Sequence, residues 1–214
     1  MKKENGRVKL SQEDCISFAK SLQPGDNFFV MGSDLVARLI QFGTGEKGDD
    51  FDANHVGAYV GNGNGQTLEA DGKQVAYHLI SDYFDQLKNG KCRIIVYRIK
   101  DLSVDELELM KIEMKNQLGM KYNNALNFWF GVWGLVRWIP GADWLAGRLR
   151  NPGNKKNEVN CSVSKNRIDN AVERARLALG KIATENATPE NLYERVKAAK
   201  KVFEKVVDTW QFDK

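Results

Sequence analysis

The stretch Asn54-His55-Val56-Gly57-Ala58-Tyr59-Val60-Gly61-Asn62-Gly63-Asn64-Gly65-Gln66-Thr67-Leu68-Glu69-Ala70 decides how this chain folds. Two short alternating apolar runs flank an Asn-Gly-Asn-Gly turn, among the strongest hairpin signals a sequence offers. Val56, Ala58 and Val60 point to one face of the first strand, and His55, Gly57 and Tyr59 to the other. On the second strand Leu68 and Ala70 share a face, while Thr67, Glu69 and Asp71 share the opposite one. Burying both apolar sets together requires an in-phase register, because a slip of one residue turns a whole strand over. His55 and Glu69 then lie on one face. That register demands an odd loop, such as Asn62-Gly63-Asn64 closed by Gly61 and Gly65 with a glycine bulge. A two-residue Gly63-Asn64 turn would put Glu69 on the wrong side. Asp71 has the same parity and is the rival acid.

Outward from the hairpin, helix and strand signals interleave. Ser11 with Asp14 reads as a capped helix start, backed by Ile16, Phe18, Ala19 and Leu22. Pro24-Gly25-Asp26 is a turn, and Phe28 to Met31 a short buried strand. Ser33-Asp34 opens a helix over Leu35 to Phe42, and the Gly- and charge-rich run from Gly43 to Asp52 reads as a loop. Beyond the hairpin, Gln74 to Tyr77 reads as a strand, Ser81 to Leu87 as helical and Cys92 to Arg98 as a strand. Ser103 and Glu106 form a capping box for a helix running to about Leu118. Asn123 to Ile139 is aromatic-rich and reads as helical, ended by Pro140-Gly141. Asn151 to Asn157 is a loop, followed by one long helix from Asn160-Cys161 to about Leu179. Thr188-Pro189 starts a further helix, with proline at its first position. Lys197 to Val207 reads as a charged terminal helix whose Lys197, Lys200, Lys201 and Lys205 form a solvated face. No repeat or dividing linker appears. The expectation is a single α+β domain over residues 1–214, a central antiparallel sheet packed with helices, with a helical insertion at about 123–150.

Composition narrows the function classes. With 214 residues the chain can bury one real core. A net charge of +4 is mild, and its basic residues are spread along the chain, which argues against nucleic acid as a partner. Three widely spaced cysteines, Cys15, Cys92 and Cys161, argue for a reducing compartment rather than a disulfide framework. Neither a CxxC nor an HxxxH spacing occurs, so no metal is expected, and no organic cofactor is implied. The polar N-terminus has no apolar region behind it, so a cytoplasmic protein is expected.

Only two histidines are present, His55 and His78, so general-base chemistry near neutral pH has few places to live. An acid beside an imidazole sets its tautomer and stabilises the imidazolium, as in nucleophilic triads. Cys161 is the candidate nucleophile. It follows a loop and opens a predicted helix, where backbone N–H groups and the macrodipole lower a thiol pKa and can hold an oxyanion. Cys92 alternates with Ile94 and Val96, and Cys15 sits beside apolar helix positions; both read as buried structural thiols.

Several segments together resemble the permuted NlpC/P60 proteins, most closely the YiiX-like group of cysteine hydrolases. These are Pro24-Gly25-Asp26, Ile40-Gln41-Phe42-Gly43-Thr44-Gly45, Asn54-His55-Val56-Gly57, Leu68-Glu69-Ala70, Gly119-Met120-Lys121-Tyr122-Asn123, Asn160-Cys161-Ser162 and Thr188-Pro189-Glu190-Asn191-Leu192-Tyr193, in that order. The resemblance covers roughly residues 22 to 195 and rests on order and spacing more than on any one motif. It implies a permuted papain-like fold, in which histidine and acid precede a late cysteine. It further implies a cysteine peptidase or amidase, with Cys161 as nucleophile, His55 as base and Glu69 orienting the base. The substrates implied are a small peptide amide or a lipid-like acyl group. Two departures stand out. The family usually has Cys-Ser-Glu-Leu-Val, where this chain has Cys161-Ser162-Val163-Ser164-Lys165, and the aromatic stretch from Asn127 to Leu149 is unusually long.

Blander readings stand beside each of these. A histidine at a strand start is more often a surface or satisfied side chain than a catalyst, and a free cysteine is more often a small buried residue. Tyr59, Tyr122 and Asp71 are candidate substrate contacts, although an aromatic beside a hairpin is usually core. The aromatic stretch reads first as core helices, and second as an apolar wall or a peripheral membrane contact. An acyltransferase of the lecithin:retinol acyltransferase-like type would share the acyl-enzyme. A binding module that keeps the cleft without turnover is the alternative outside enzymes.

Overall fold

The computed structural model describes residues 8–32, 51–61, 65–123, 158–180 and 188–211. The expected helix at 35–42, the turn residues 62–64 and nearly all of the aromatic stretch lie outside them.

Six strands form one antiparallel sheet: β1 (Asn27–Gly32), β2 (His55–Tyr59), β3 (Gln66–Ala70), β4 (Val75–Leu79), β5 (Cys92–Ile99) and β8 (Phe203–Asp208), in the order β4-β3-β2-β1-β5-β8. A short parallel pair joins β6 (Lys121–Tyr122) to β7 (Glu158–Val159). The described helices are α1 (Gln12–Ser21), α2 (Phe84–Lys88), α3 (Val104–Gln117), α4 (Cys161–Asp169), α5 (Glu173–Leu179) and α6 (Pro189–Ala198). Helix and antiparallel strand are mixed, as expected of an α+β chain.

The central strands read as near-continuous apolar runs because both faces of the sheet are covered. Phe28, Val30, Ile94 and Val96 pack with Phe18 of α1 and Leu87 of α2 on one face. Phe29, Val56, Ile95 and Tyr97 pack with Met110 and Met114 of α3, Ile168 of α4 and Val196 of α6 on the other. The helix starts follow the capping rules. Ser11 and Ser103 each close a capping box, with Asp14 and Glu106 respectively, and Thr188 caps α6 ahead of Pro189.

Two expectations fail. The helix expected from Cys161 to about Leu179 is broken into α4 and α5. Asn170 caps α4 with its N–H on Asn166 O and its side chain on Asn166 Oδ1, and Val172 turns extended. The change of direction buries Val172, Ala175 and Leu179 together. The charged terminal helix is also absent: α6 ends at Ala198, and Phe203–Asp208 is an edge strand paired with β5. Phe203, Val206 and Val207 have the i, i+3, i+4 spacing of a helix face. A bulge opposite Val96/Tyr97 produces that spacing in a strand, placing Phe203 in one core layer and Val207 in the other.

Candidate active site

The β2–β3 hairpin has the in-phase register that burial demands. Gly57 pairs with Glu69, Ala58 with Leu68 and Tyr59 with Thr67. These pairs centre the loop on residue 63, so its count is odd. Gly61 and Gly65, with φ of 87° and 69°, flank the turn in the left-handed region that glycine tolerates.

Glu69 sits one pair along from His55 on the same face, and His55 Nε2 lies 2.7 Å from Glu69 Oε2. The carboxylate is 6% exposed and the imidazole 23%. Two further donors hold the acid: Thr67 Oγ1 donates to Oε1 at 2.5 Å and Tyr83 OH to Oε2 at 2.6 Å. Burial alone would raise the Glu69 pKa; the His55 hydrogen bond and charge, with Thr67 and Tyr83, bring it below the ordinary 4.5. Burial and the Glu69 charge push the Tyr83 phenol well up, so it stays a donor.

Gly57 makes this arrangement sterically feasible. A Cβ there would lie 2.3 Å from Phe28 Cζ and 2.8 Å from Glu69 Cγ. Glu69 crosses the bare backbone of Gly57 to reach His55. The backbone entering β2 is also pinned. Asn54 accepts from Gly32 N–H at 3.1 Å and donates to Gly32 O at 3.0 Å, and Glu190 of α6 accepts from Ala53 N–H at 2.5 Å.

Cys161 is the first residue of α4. Asn160 is the N-cap, its side chain accepting from Val163 N–H at 2.8 Å. Short β7 runs beside Tyr122 and leads directly into this cap. The α4 helix packs on β2 and β3, and this sets the Cys161 thiol beside His55 and the Val56 N–H. Burial pushes the thiol up, but the His55 hydrogen bond and charge outweigh it, so the net shift is below 9.0. For His55, burial favours the neutral ring. The hydrogen bonds and charges of Cys161 and Glu69 overcome that and raise it from 6.5 to about 10. The arrangement favours the protonated imidazole, between the Glu69 carboxylate and a thiol whose pKa is lowered.

The other cysteines differ. Cys15 and Cys92 are buried, and burial raises both, Cys92 to about 12.

The remaining candidate residues separate. Tyr122 is 9% exposed and pairs with Val159, two residues ahead of Cys161. Tyr59 lies at the far end of β2 from His55, buried in the layer of Phe28 and Val30, and serves as core. Asp71 accepts from the N–H groups of Lys73 and Gln74 at 2.9 and 3.0 Å and pairs with His78 at 3.3 Å, not with His55. Sequence reasoning missed four supports. Thr67 was findable from its shared parity with Glu69. Tyr83, Glu190 and the steric role of Gly57 depend on contacts distant in sequence.

Lys165, in the segment that departs from the Cys-Ser-Glu-Leu-Val pattern, is 1% exposed and pairs with Asp169 at 2.5 Å one turn further along α4. Among the described residues no group of three or more His, Cys, Asp and Glu is placed to hold a metal ion, and no helix is long and apolar enough to cross a membrane.

No protein-family model and no curated protein matches the chain. Among solved structures it is similar to the metalloprotein yiiX from Escherichia coli O157:H7, at 16% identity and a TM-score of 0.47, over 87% of this chain and 97% of that one. A likeness at that level decides neither fold nor activity.

Proposed function

We propose that this protein is a thiol hydrolase of permuted papain-like type, acting on amide or ester carbonyls through a Cys161–His55–Glu69 triad. The observation that carries this reading is the part-buried His55–Glu69 contact at 2.7 Å, with a helix-start cysteine beside the same imidazole.

In this mechanism the Cys161 thiolate attacks the carbonyl carbon, forming a C–S bond while the carbonyl π electrons move to oxygen. The oxyanion meets the N–H groups at the start of α4; Val163's is already taken by Asn160, which leaves those nearest the thiol. As the tetrahedral species collapses, imidazolium His55 gives its proton to the departing amine or alkoxide. Water then attacks the thioester, losing a proton to His55, and the acid product leaves with the thiolate restored. Glu69 acts through His55, holding the ring and stabilising its charged form.

Iodoacetamide labelling at neutral pH tests the reading. Fast alkylation confined to Cys161, and slowed in His55→Ala, supports it. Slow, equal alkylation of all three cysteines overturns it. Release of nitrophenol from a p-nitrophenyl acyl ester, with a burst matching the acylated fraction of Cys161, tests turnover.

A further inference from the structure

A cavity of about 680 Å³ opens at the β5–β8 edge of the sheet, within the size range of small-ligand sites. It lies away from the imidazole. His55 pairs with Val30, and Val30 pairs with Ile94, so these three side chains share one face. Arg93, Ile95 and Tyr97 of β5 line the cavity from the opposite face. Strands β2 and β5 are also two strand spacings apart, about 10 Å.

The walls are aromatic and rigidly packed. Phe51 and Tyr193 have ring centroids 4.8 Å apart, Tyr97 and Tyr193 are 6.0 Å apart, and Phe203 completes the wall. The rim is cationic. Lys100, Lys197, Lys200 and Lys205 line it with two acids, Glu204 and Asp208. Asp208 pairs with Arg93 at 2.9 and 2.7 Å and with Lys205 at 3.7 Å, while Lys205 also donates to Gln211 at 3.3 Å and Lys100 to Lys200 O at 2.8 Å. Lys197 lies 5.5 Å from the Tyr193 ring centroid and pairs with Glu194 at 3.2 Å. A partly exposed pair of this kind contributes about 1 kcal/mol or less.

We propose that this cavity binds an organic phosphate, its anion on the lysine rim and its apolar body on the Phe51, Tyr193 and Phe203 wall. Phosphate suits ammonium groups as a compact, strongly charged acceptor, and the hollow takes a flat or acyl body. A free phosphate ester and a phospholipid headgroup share this chemistry.

Phenyl phosphate titrated into the full chain by calorimetry tests the site, with inorganic phosphate and phenol as half-ligands. Saturable binding of phenyl phosphate, tighter than either half, is expected. It should weaken at least about tenfold in the Lys197→Glu/Lys200→Glu variant, a loss of one decade in Kd. Charge reversal at these partly or fully exposed positions leaves the core untouched. Binding should persist in Cys161→Ala, so the outcome does not depend on the thiol chemistry. Co-sedimentation with phosphatidylcholine vesicles, with and without phosphatidic acid, separates the sources. Capture that needs phosphatidic acid and is lost in the variant assigns a lipid headgroup; no capture alongside phenyl phosphate binding assigns a free ester. Absence of saturable phenyl phosphate binding overturns the proposal. So does equal binding by the variant, or loss of binding in Cys161→Ala.

Discussion

Strand β3 and the turn that follows it supply the acids of two histidine–carboxylate pairs, one on each side. Across its ladder with β2, Glu69 meets His55 at 2.7 Å; across its turn into β4, Asp71 meets His78 at 3.3 Å. The residue types are nearly the same, but the settings differ. Glu69 is 6% exposed and receives two further hydroxyl donors, whereas Asp71 is 26% exposed and spends one oxygen on the N–H groups of its own turn. Only His55 has a third partner, the Cys161 thiol. An imidazole beside an acid is therefore not yet a site. What separates the two pairs is exclusion of water, which strengthens each charge, and a cysteine thiol delivered from a distant helix.

The comparison breaks most visibly at the histidines. His55→Ala is expected to lower ester turnover on the order of 10³-fold, since it removes both base and acid. Its iodoacetamide labelling at neutral pH should slow on the order of ten- to thirtyfold, the ratio between an ionised thiol and an ordinary one. His78→Ala should change neither by more than about twofold. Equal losses in both variants would erase the distinction.

Glu69→Gln is the next step down. It keeps the shape and loses the charge, so turnover should fall on the order of 10²-fold. The same variant should flatten the pH dependence of stability. Glu69 titrates below its usual 4.5, so its contribution is present above 4.5 and lost as pH falls through the lowered folded value. His55 is raised, so its contribution is present below 6.5 and lost as pH climbs through about 10. Chemical denaturation across pH, wild type against variant, measures both limbs.

The hairpin that carries these residues was legible because alternation leaves only two registers, and burial of Val56, Ala58, Leu68 and Ala70 selects one. The helix-start cysteine was legible for a similar local reason: Asn160 caps a first turn. What sequence could not supply is contact at long range. Tyr83 reaches Glu69 from a turn of 3-10 helix after β4, and Glu190 reaches Ala53 across 137 positions. Strand β8 was misread for a different reason, because a bulge imitates helical spacing. Tyr59 had the right parity for the site but lies at the far end of its strand, and Asp71 had both parity and register but its carboxylate is held by the N–H groups of Lys73 and Gln74.

Gly57 sharpens the comparison from the backbone side. In Gly57→Ala the new methyl meets Phe28 and the Glu69 stem, and Phe28 is fully buried and cannot swing away. A loss of about 1–3 kcal/mol in stability is expected by urea denaturation. Cys161 labelling should slow as well, because the carboxylate that relieves the clash must leave His55. Unchanged labelling in a folded variant would show that Glu69 does not set the state of the imidazole.

The smallest effect is expected on the other side of β3. Asp71→Asn removes the charge beside His78 but can still accept from Lys73 and Gln74 N–H, so the turn survives. Stability should change by less than about 1 kcal/mol, the scale of an exposed ion pair. Turnover and Cys161 labelling should match the wild type. This near-silence is informative, because Asp71 stands in line with His55 by register and would orient it if register alone decided the partner. A loss in Asp71→Asn approaching that of Glu69→Gln would transfer the orienting role to Asp71. In the present geometry Glu69 crosses the bare backbone of Gly57 to meet His55, while Asp71 is held in its own turn.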